Sequence, residues 1–249
     1  MRRIVFFPIL LIIIFTSELH AEELHFFAGA GLRQPVDELI DNYQGKTGNR
    51  VFVDYDGSGR LLARITASGQ GDLFMPGSFF YIEKLQTQGK IHNWKPVVAH
   101  TPVIAVNKSN TQNITCFKDL AKEGVRLALG DPKAMAFGKT AMEILDRSGM
   151  KESILANVIV YGATVKQLAL YVTQGDVDAS IIGRTDAFQF RDQLNMLLIP
   201  DDYFESETVA AAVLNSTSNL KEAMDLQSFL TSPKAVKVFE DFGFLPLEK

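Results

Sequence analysis

Short apolar runs of β type recur along the chain, and each one ends in small residues at which an amphipathic helical pattern begins. The pattern occurs four times, over residues 24–43, 51–65, 125–144 and 158–171. A helix that begins behind small residues exposes backbone N–H groups and the positive end of its dipole, and both favour an anion. Four such helix starts indicate a protein that holds an anion rather than one that transforms it.

The alternation of strand-like and helical segments continues along most of the chain, which predicts an α/β fold with mainly parallel strands flanked by helices. Strands are predicted near residues 24–28, 50–54, 73–76, 97–107, 126–130, 157–161, 179–182, 197–200 and 208–214. Helices are predicted over residues 34–43, 59–67, 79–88, 116–121, 139–148, 165–174, 186–192, 220–231 and 233–241.

Two of the predicted strands, 97–107 and 208–214, are long and nearly uncharged, and they lie on either side of a central block. If both are crossovers, the chain builds one lobe, passes into a second and returns to the first. We therefore predict two lobes joined by a two-strand hinge, which suits closure around a ligand. The predicted first lobe combines residues 22–101 with 209–249, and the second covers 102–208. A single α/β sheet without a hinge is the alternative.

The N-terminus carries the features of an exported protein in their usual order. Arg2 and Arg3 precede a continuously apolar run over residues 4–15, and Ala21 precedes two acidic residues. We therefore predict a cleavable signal peptide over residues 1–21 and a periplasmic location for the mature chain. The apolar run is shorter than the ~20 residues that span a bilayer. An uncleaved N-terminal anchor is the alternative.

The charge balance narrows the classes of partner. Without residues 1–21 the chain has 23 basic and 28 acidic residues, hence a net charge of −5. Neither a basic stretch nor interleaved aromatic and basic residues occur, which argues against nucleic acid and membrane surfaces as partners. Cys116 is the only cysteine, so no internal disulfide can form, and we interpret it as a small structural residue rather than a reactive thiol.

Two segments resemble nucleotide-binding motifs but fail on spacing. Gly29 and Gly31 have the first two spacings of a dinucleotide fingerprint, but Gln34 stands where a glycine or alanine is needed. Residues 136–140 resemble the end of a P-loop, but the earlier glycine of that motif would fall on Lys133. The sequence therefore predicts no bound nucleotide and no other cofactor.

The residues needed for catalysis do not form a recognisable set. His25, His92 and His100 lack the spacing of metal ligands, and Ser58 does not lie in a nucleophile elbow. We predict that the chain is not an enzyme, and an exported hydrolase is the least favoured alternative. We interpret the loop 57–59 as one whose hydroxyl and amides face an anion, with an ordinary N-cap for the following helix as the alternative.

Further turns with glycine, at residues 130, 138, 162 and 183, also lie between predicted strands and helices, and parallel strands would place them at one sheet edge, where ligands collect. Together with the segments above, these turns resemble the periplasmic molybdate- and tungstate-binding proteins of ABC importers. The matching segments, in chain order, are 27–32, 57–61, 71–74, 130–132 with Gly138, 163–165, 175–187, 232–235 and 242–244. The resemblance implies the two-lobed periplasmic-binding-protein fold.

The resemblance also implies a site. Members of that family hold a tetrahedral dianion with serine hydroxyls and with backbone amides at helix starts. By position, Gly31 takes the place of one serine and offers only its N–H, whereas Ser58 keeps the hydroxyl of the other. Phe137 and Val165 take the places of residues that donate amides. Gly183 takes the place of a tyrosine whose hydroxyl contacts the anion.

Two side-chain donors are thus absent, and a buried anion loses roughly 1–3 kcal/mol for each unsatisfied contact. Arg33, Arg60 and Arg184 are candidates to replace them with charge-assisted hydrogen bonds. Ion pairs with Asp56, Asp186 or a nearby glutamate are the alternative for each arginine. The predicted ligand-binding set is Gly31, Ser58, Gly59, Phe137, Val165, Gly183 and Arg184.

The function implied by the resemblance is capture of molybdate or tungstate between two lobes and delivery to a membrane ABC permease. Ser58 would meet the metal of that ligand only through its oxygen atoms, so no direct metal ligand is predicted. A binder of another anion, such as sulfate, phosphate or a small carboxylate, is the first alternative. An exported surface or adhesion protein on the same fold is the second.

Overall fold

The computed structural model describes residues 22–109, 111–132 and 136–247, with Ala136 described by its backbone alone. The predicted signal peptide, residues 1–21, lies outside the described residues. The strands are β1 (Glu23–Gly29), β2 (Arg50–Asp56), β3 (Leu73–Met75), β4 (Ile91–His100), β5 (Pro102–Asn107), β6 (Leu127–Gly130), β7 (Val158–Gly162), β8 (Ala179–Gly183), β9 (Leu194–Leu198) and β10 (Glu207–Leu214). The α-helices are α1 (Arg33–Thr47), α2 (Ser58–Ser68), α3 (Phe80–Thr87), α4 (Ala136–Ser148), α5 (Lys151–Leu155), α6 (Val165–Gln174), α7 (Arg184–Gln189), α8 (Leu220–Leu230) and α9 (Pro233–Asp241).

The strands form two sheets, as predicted for a two-lobed α/β fold. The first has the order β2-β1-β3-β10-β4 and the second the order β7-β6-β8-β5-β9. In each sheet two neighbouring pairs are parallel and two are antiparallel, so the strands are mixed where the sequence predicted mainly parallel neighbours. The parallel pairs come from strand–helix–strand units. Every antiparallel pair includes β5 or β10, the strands with which the chain enters the second sheet and returns to the first. Antiparallel neighbours need no crossover helix.

The predicted strand 97–107 is two strands with Thr101 between them. β4 belongs to the first sheet and β5 to the second, so the chain crosses between sheets at Thr101, which is buried. The return lies between β9 and β10. Glu207 and Thr208, which the sequence analysis placed in the second lobe, pair with β4 of the first sheet. The exact lobe boundaries stay a prediction.

Smaller differences concern short elements. The predicted helix 116–121 is a 3-10 helix over Phe117–Ala121, and α5 was not predicted. α5 follows Gly149, whose φ of +68° ends α4 and lets a second short helix start two residues later. The strand predicted at 197–200 lies earlier, as β9. Within the described residues, we find no helix with the length and apolar character needed to cross a membrane.

Each sheet is covered on both faces by helices, with separate apolar clusters on each side. Phe26 and Phe27 of β1 show the alternation, because Phe26 packs in the cluster with α1, α8 and α9, whereas Phe27 packs in the cluster with α2 and α3. In the second sheet, α4 and α5 cover one face and α6 and α7 the other. The strand ends are therefore the part of each sheet left open to a ligand.

Candidate functional site

A cavity of about 480 Å³ lies between the two sheets. It is lined by residues that follow the carboxyl ends of strands in both of them. A second cavity of about 490 Å³ continues from it and shares five lining residues with it: Gly77, Ser78, Tyr81, His100 and Phe137. The two cavities form one cleft, which we call the interlobe cleft.

Five of the seven predicted ligand-binding residues line the 480 Å³ cavity, and two do not. Those that line it are Gly31, Ser58, Gly59, Phe137 and Val165. Gly183 and Arg184 are not among the described lining residues, although Thr185 and Asp186 directly after them are. The structure thus brings together residues more than 130 positions apart in the chain. Their contact with a ligand stays a prediction.

The first lobe contributes the start of α2. Gly57 is the N-cap of this helix and makes no side-chain cap, so the alternative reading of Ser58 as an ordinary N-cap does not hold. Ser58 Oγ instead accepts a hydrogen bond from the Gly77 N–H at 3.1 Å. A hydroxyl that accepts this bond keeps its own hydrogen as a donor. Ser58 and Gly59, the first two residues of α2, line this cavity, and the first N–H groups of a helix lack intrahelical acceptors.

The second lobe contributes the starts of α4 and α6. Thr164 caps α6 by accepting from the Gln167 N–H at 3.2 Å, and Val165 is the first helical residue. In α4, Gly138 fits where no side chain would, because a Cβ there would lie 2.5 Å from the Asp131 carbonyl. This close approach of α4 to the end of β6 brings Phe137 to the cleft.

None of the three candidate arginines, Arg33, Arg60 and Arg184, is among the described residues that line the 480 Å³ cavity. Arg60 Nε lies 2.6 Å from Asp56 Oδ1 on a side chain that is 78% exposed, so the ion-pair alternative holds for it. Arg33 stacks over the Tyr55 ring at 4.1 Å. Arg184 Nε is buried and makes no hydrogen bond within the described part of the chain. Among the residues that the structure describes, no lysine or arginine lines the 480 Å³ cavity.

Gly183 has two close neighbours for which the sequence carries no local signal. A Cβ at this position would lie 2.7 Å from Asp186 Oδ2 and 2.9 Å from His100 Nε2. Both residues line the cavity, and their side chains occupy the space that a larger residue at 183 would need. The tyrosine that the resemblance assigns to this position is thus replaced by glycine together with an acid and an imidazole.

The environment of these two groups shifts their titration in opposite directions. Desolvation in the cleft lowers the pKa of His100 to about 4, which keeps the ring neutral near pH 7. Its ring lies 5.4 Å from that of Phe137 and 5.6 Å from that of Phe244, and its Nδ1 is buried without a hydrogen-bond partner within the described chain. Desolvation also raises the pKa of Asp186 to about 6, opposed in part by its own backbone N–H.

The other carboxylate of the cavity behaves differently. A hydrogen bond from the Gly57 N–H and another from Arg60 lower the pKa of Asp56, so that group stays charged. Its negative charge is offset by Arg60 and by Arg64 at 3.4 Å. Within the described residues, no group of three or more His, Cys, Asp or Glu side chains could hold a metal ion.

Two sheets with a cleft at their strand ends and two crossings between them define a two-lobed binding protein. The chain belongs to the family of bacterial extracellular solute-binding proteins, whose model matches residues 24–245. Proteins of this family bind solutes and are not enzymes. This agrees with the prediction that the chain has no catalytic activity.

Three similar proteins illustrate the family. A Haemophilus influenzae protein described as a "Putative binding protein" is 43% identical over 234 residues, which cover 94% of this chain and 95% of the relative. The structure of the "substrate binding domain of putative molybdenum ABC transporter from Clostridium difficile" has a TM-score of 0.84 at 22% identity, covering 92% of this chain and 100% of that one. The Azotobacter vinelandii periplasmic molybdate-binding protein has a TM-score of 0.73 at 19% identity, covering 90% and 100%. These two structural likenesses show the fold.

Proposed function

We propose that this protein captures a small oxyanion in the interlobe cleft, outside the cytoplasm, and delivers it to a membrane ABC permease. The observation that carries the proposal is the convergence of three helix starts on one cavity. Ser58 comes from the first lobe, and Phe137 and Val165 come from the second. Backbone amides at helix starts bind anions without requiring a positively charged side chain.

The mechanism follows from the two-lobed architecture. One anion that accepts hydrogen bonds from both lobes stabilises the closed form over the open form, because only the closed form offers both sets of donors. Closed and open forms present different surfaces, and a permease can distinguish them. The protein itself makes and breaks no covalent bond in this cycle.

Molybdate is the first candidate ligand, supported by the names of the two structural neighbours. Tungstate is a candidate because the sequence resembles molybdate- and tungstate-binding proteins. A second candidate class is another anion, such as phosphate, sulfate or a small carboxylate. Two glycines favour that class. Gly31 and Gly183 provide no side-chain donor at the positions where the molybdate- and tungstate-binding proteins have a serine and a tyrosine.

Calorimetric titration of the ligand-free protein tests the proposal. The protein lacking residues 1–21 is titrated with molybdate, tungstate, sulfate, phosphate and citrate. We expect tight binding of one anion per protein molecule, with a clear preference within this set. Absence of binding to every anion would contradict the proposal. If an ABC permease is encoded beside this gene, stimulation of its ATPase activity in reconstituted membranes separates transport from the adhesion alternative.

A further inference from the structure

Asp186 lies at the cavity in which the proposed anion binds. It lines the same cavity as Ser58 and Val165, and it lies beside His100 because Gly183 leaves room for both. An anion site that presents a carboxylate would repel its own ligand in a desolvated cleft. This conflict needs a physical resolution.

The charged and titratable groups around Asp186 do not resolve it. His100 of β4 is neutral, because desolvation lowers its pKa to about 4. Strands β5, β8 and β9, which pack against α7, carry no charged residue, and Lys166 on the neighbouring α6 is exposed. Arg184 on α7 itself lies outside the cavity lining.

Across the cavity, Asp56 is a second carboxylate and is already paired with Arg60. Tyr81 contributes only a hydroxyl group. The charged residues of the adjoining cavity have both signs, and they are Lys139, Glu143, Arg147, Glu205 and Glu207. Within the described lining of the 480 Å³ cavity, the polar side chains therefore provide hydroxyls, one neutral imidazole and two carboxyl groups, with no cation.

We propose that the site binds its oxyanion together with one proton, which is shared between the Asp186 carboxyl group and a ligand oxygen. The inference rests on the proposed function and specifies its ligand chemistry. For an anion without a hydrogen, such as molybdate or sulfate, the proton comes from solvent and the neutral carboxyl group donates it in a hydrogen bond. For hydrogen phosphate, the ligand brings the proton and the carboxylate accepts the hydrogen bond.

The direction of the pH dependence follows from linkage. Asp186 of the ligand-free protein gives up its proton as the pH rises through about 6, whereas a nearby anion favours the protonated form. Binding of molybdate or sulfate then requires proton uptake above that pH. Affinity falls by about tenfold for each pH unit until the bound state also loses the proton. His100 stays neutral and Asp56 stays charged over this range, so neither accounts for the slope.

Calorimetry at pH 6.5 to 8, in two buffers of different ionisation enthalpy, measures both the affinity and the number of protons taken up. With molybdate or sulfate we expect uptake that approaches one proton per anion near pH 7.5. Asp186→Asn keeps the shape of the side chain and should abolish both the uptake and the pH dependence. Asp56→Asn is the matched control: it removes the other carboxylate of the cavity and should leave the proton uptake in place.

His100→Gln distinguishes the two neighbours. Uptake that survives in H100Q and disappears in D186N supports Asp186 as the proton carrier, whereas the reverse pattern overturns that assignment. If phosphate is the ligand, we expect no net uptake at pH 8 and a larger loss of affinity in D186N than in D56N. Equal losses of phosphate affinity in D186N and D56N would overturn the inference.

The failures of the two proposals are distinguishable. Tight molybdate binding with a pH-independent affinity and no proton uptake would overturn the shared proton and leave the proposed function standing. Absence of binding to every anion at every pH, in a protein that still unfolds cooperatively, would overturn the proposed function itself.

Discussion

At the scale of single residues, Ser58 is the side-chain donor on which the proposed site depends most directly. Its hydroxyl accepts from Gly77 at 3.1 Å and keeps a hydrogen for the ligand. We expect Ser58→Ala to weaken anion binding by about tenfold, the loss of one hydrogen bond of about 1.4 kcal/mol. Ser68→Ala at the other end of α2, where the hydroxyl only accepts from Gln70, is the control, and calorimetry measures both. An unchanged Kd in S58A would remove Ser58 from the site.

Asp186 also links the fold's stability to pH. Its pKa is raised to about 6 in the folded protein against about 3.9 in an unfolded chain. The folded state therefore holds the proton more strongly, so stability is lost as the pH rises from about 4 through about 6. We expect Asp186→Asn to increase the free energy of unfolding at pH 7.5 by roughly 2–3 kcal/mol. Urea unfolding at pH 7.5 and pH 4 tests this, because the difference should nearly vanish at the lower pH.

Local sequence signals led to the prediction of Ser58 and Val165 as site residues, and both line the cavity. No such signal pointed to the pair His100 and Asp186 beside Gly183. The first two lie at local signals, a Gly-Ser-Gly loop and a Thr-capped helix start, and such signals survive without tertiary structure. His100 gains its property from burial beside Phe137 and Phe244, which lie far away in the chain. Asp186 gains its property from burial at the same cavity. Desolvation of this kind has no local pattern, although Asp186 stood in a turn already singled out at the strand end.

At the scale of elements, hydrophobic periodicity located most helices and strands, because each has an apolar face that must be buried. It failed where an element is short, as with α5, or where one apolar run serves two sheets. The sequence of residues 97–107 predicts a single strand because both halves are apolar and buried. The two halves are separate strands only because they pair with strands of different sheets. Parallel or antiparallel direction is likewise set by partners and not by the strand's own residues.

The junction of β6 with α4 gives an element-scale prediction. Gly138→Ala would place a Cβ 2.5 Å from the Asp131 carbonyl, and backbone cannot move aside as cheaply as a side chain. We expect a loss of about 1–3 kcal/mol in the free energy of unfolding and weaker anion binding, since the first turn of α4 must shift. Gly45→Ala in the exposed interior of α1, where a Cβ meets nothing within 4 Å, should instead stabilise by about 0.5–1 kcal/mol. Equal unfolding midpoints for the two variants would contradict this packing argument.

At the scale of the whole molecule, the site depends on two lobes that are connected only where the chain crosses between sheets. One crossing is at Thr101 and the other lies between β9 and β10. The C-terminal segment adds a contact near the first, because Leu245 pairs with Ala99 and Gly243 packs against Phe188 of the other lobe. Few covalent connections between two packed cores permit rigid-body closure.

Small-angle X-ray scattering of the protein lacking residues 1–21 tests this closure. We expect a smaller radius of gyration at saturating anion than in the ligand-free protein, because each lobe alone offers only part of the hydrogen-bond donors. The S58A variant is a useful control, since it should reach the same compact form but only at about tenfold higher anion concentration. A radius that does not change while calorimetry shows full occupancy would mean that the cleft is preformed. In that case the permease would have to recognise the bound ligand without a change in the shape of its carrier.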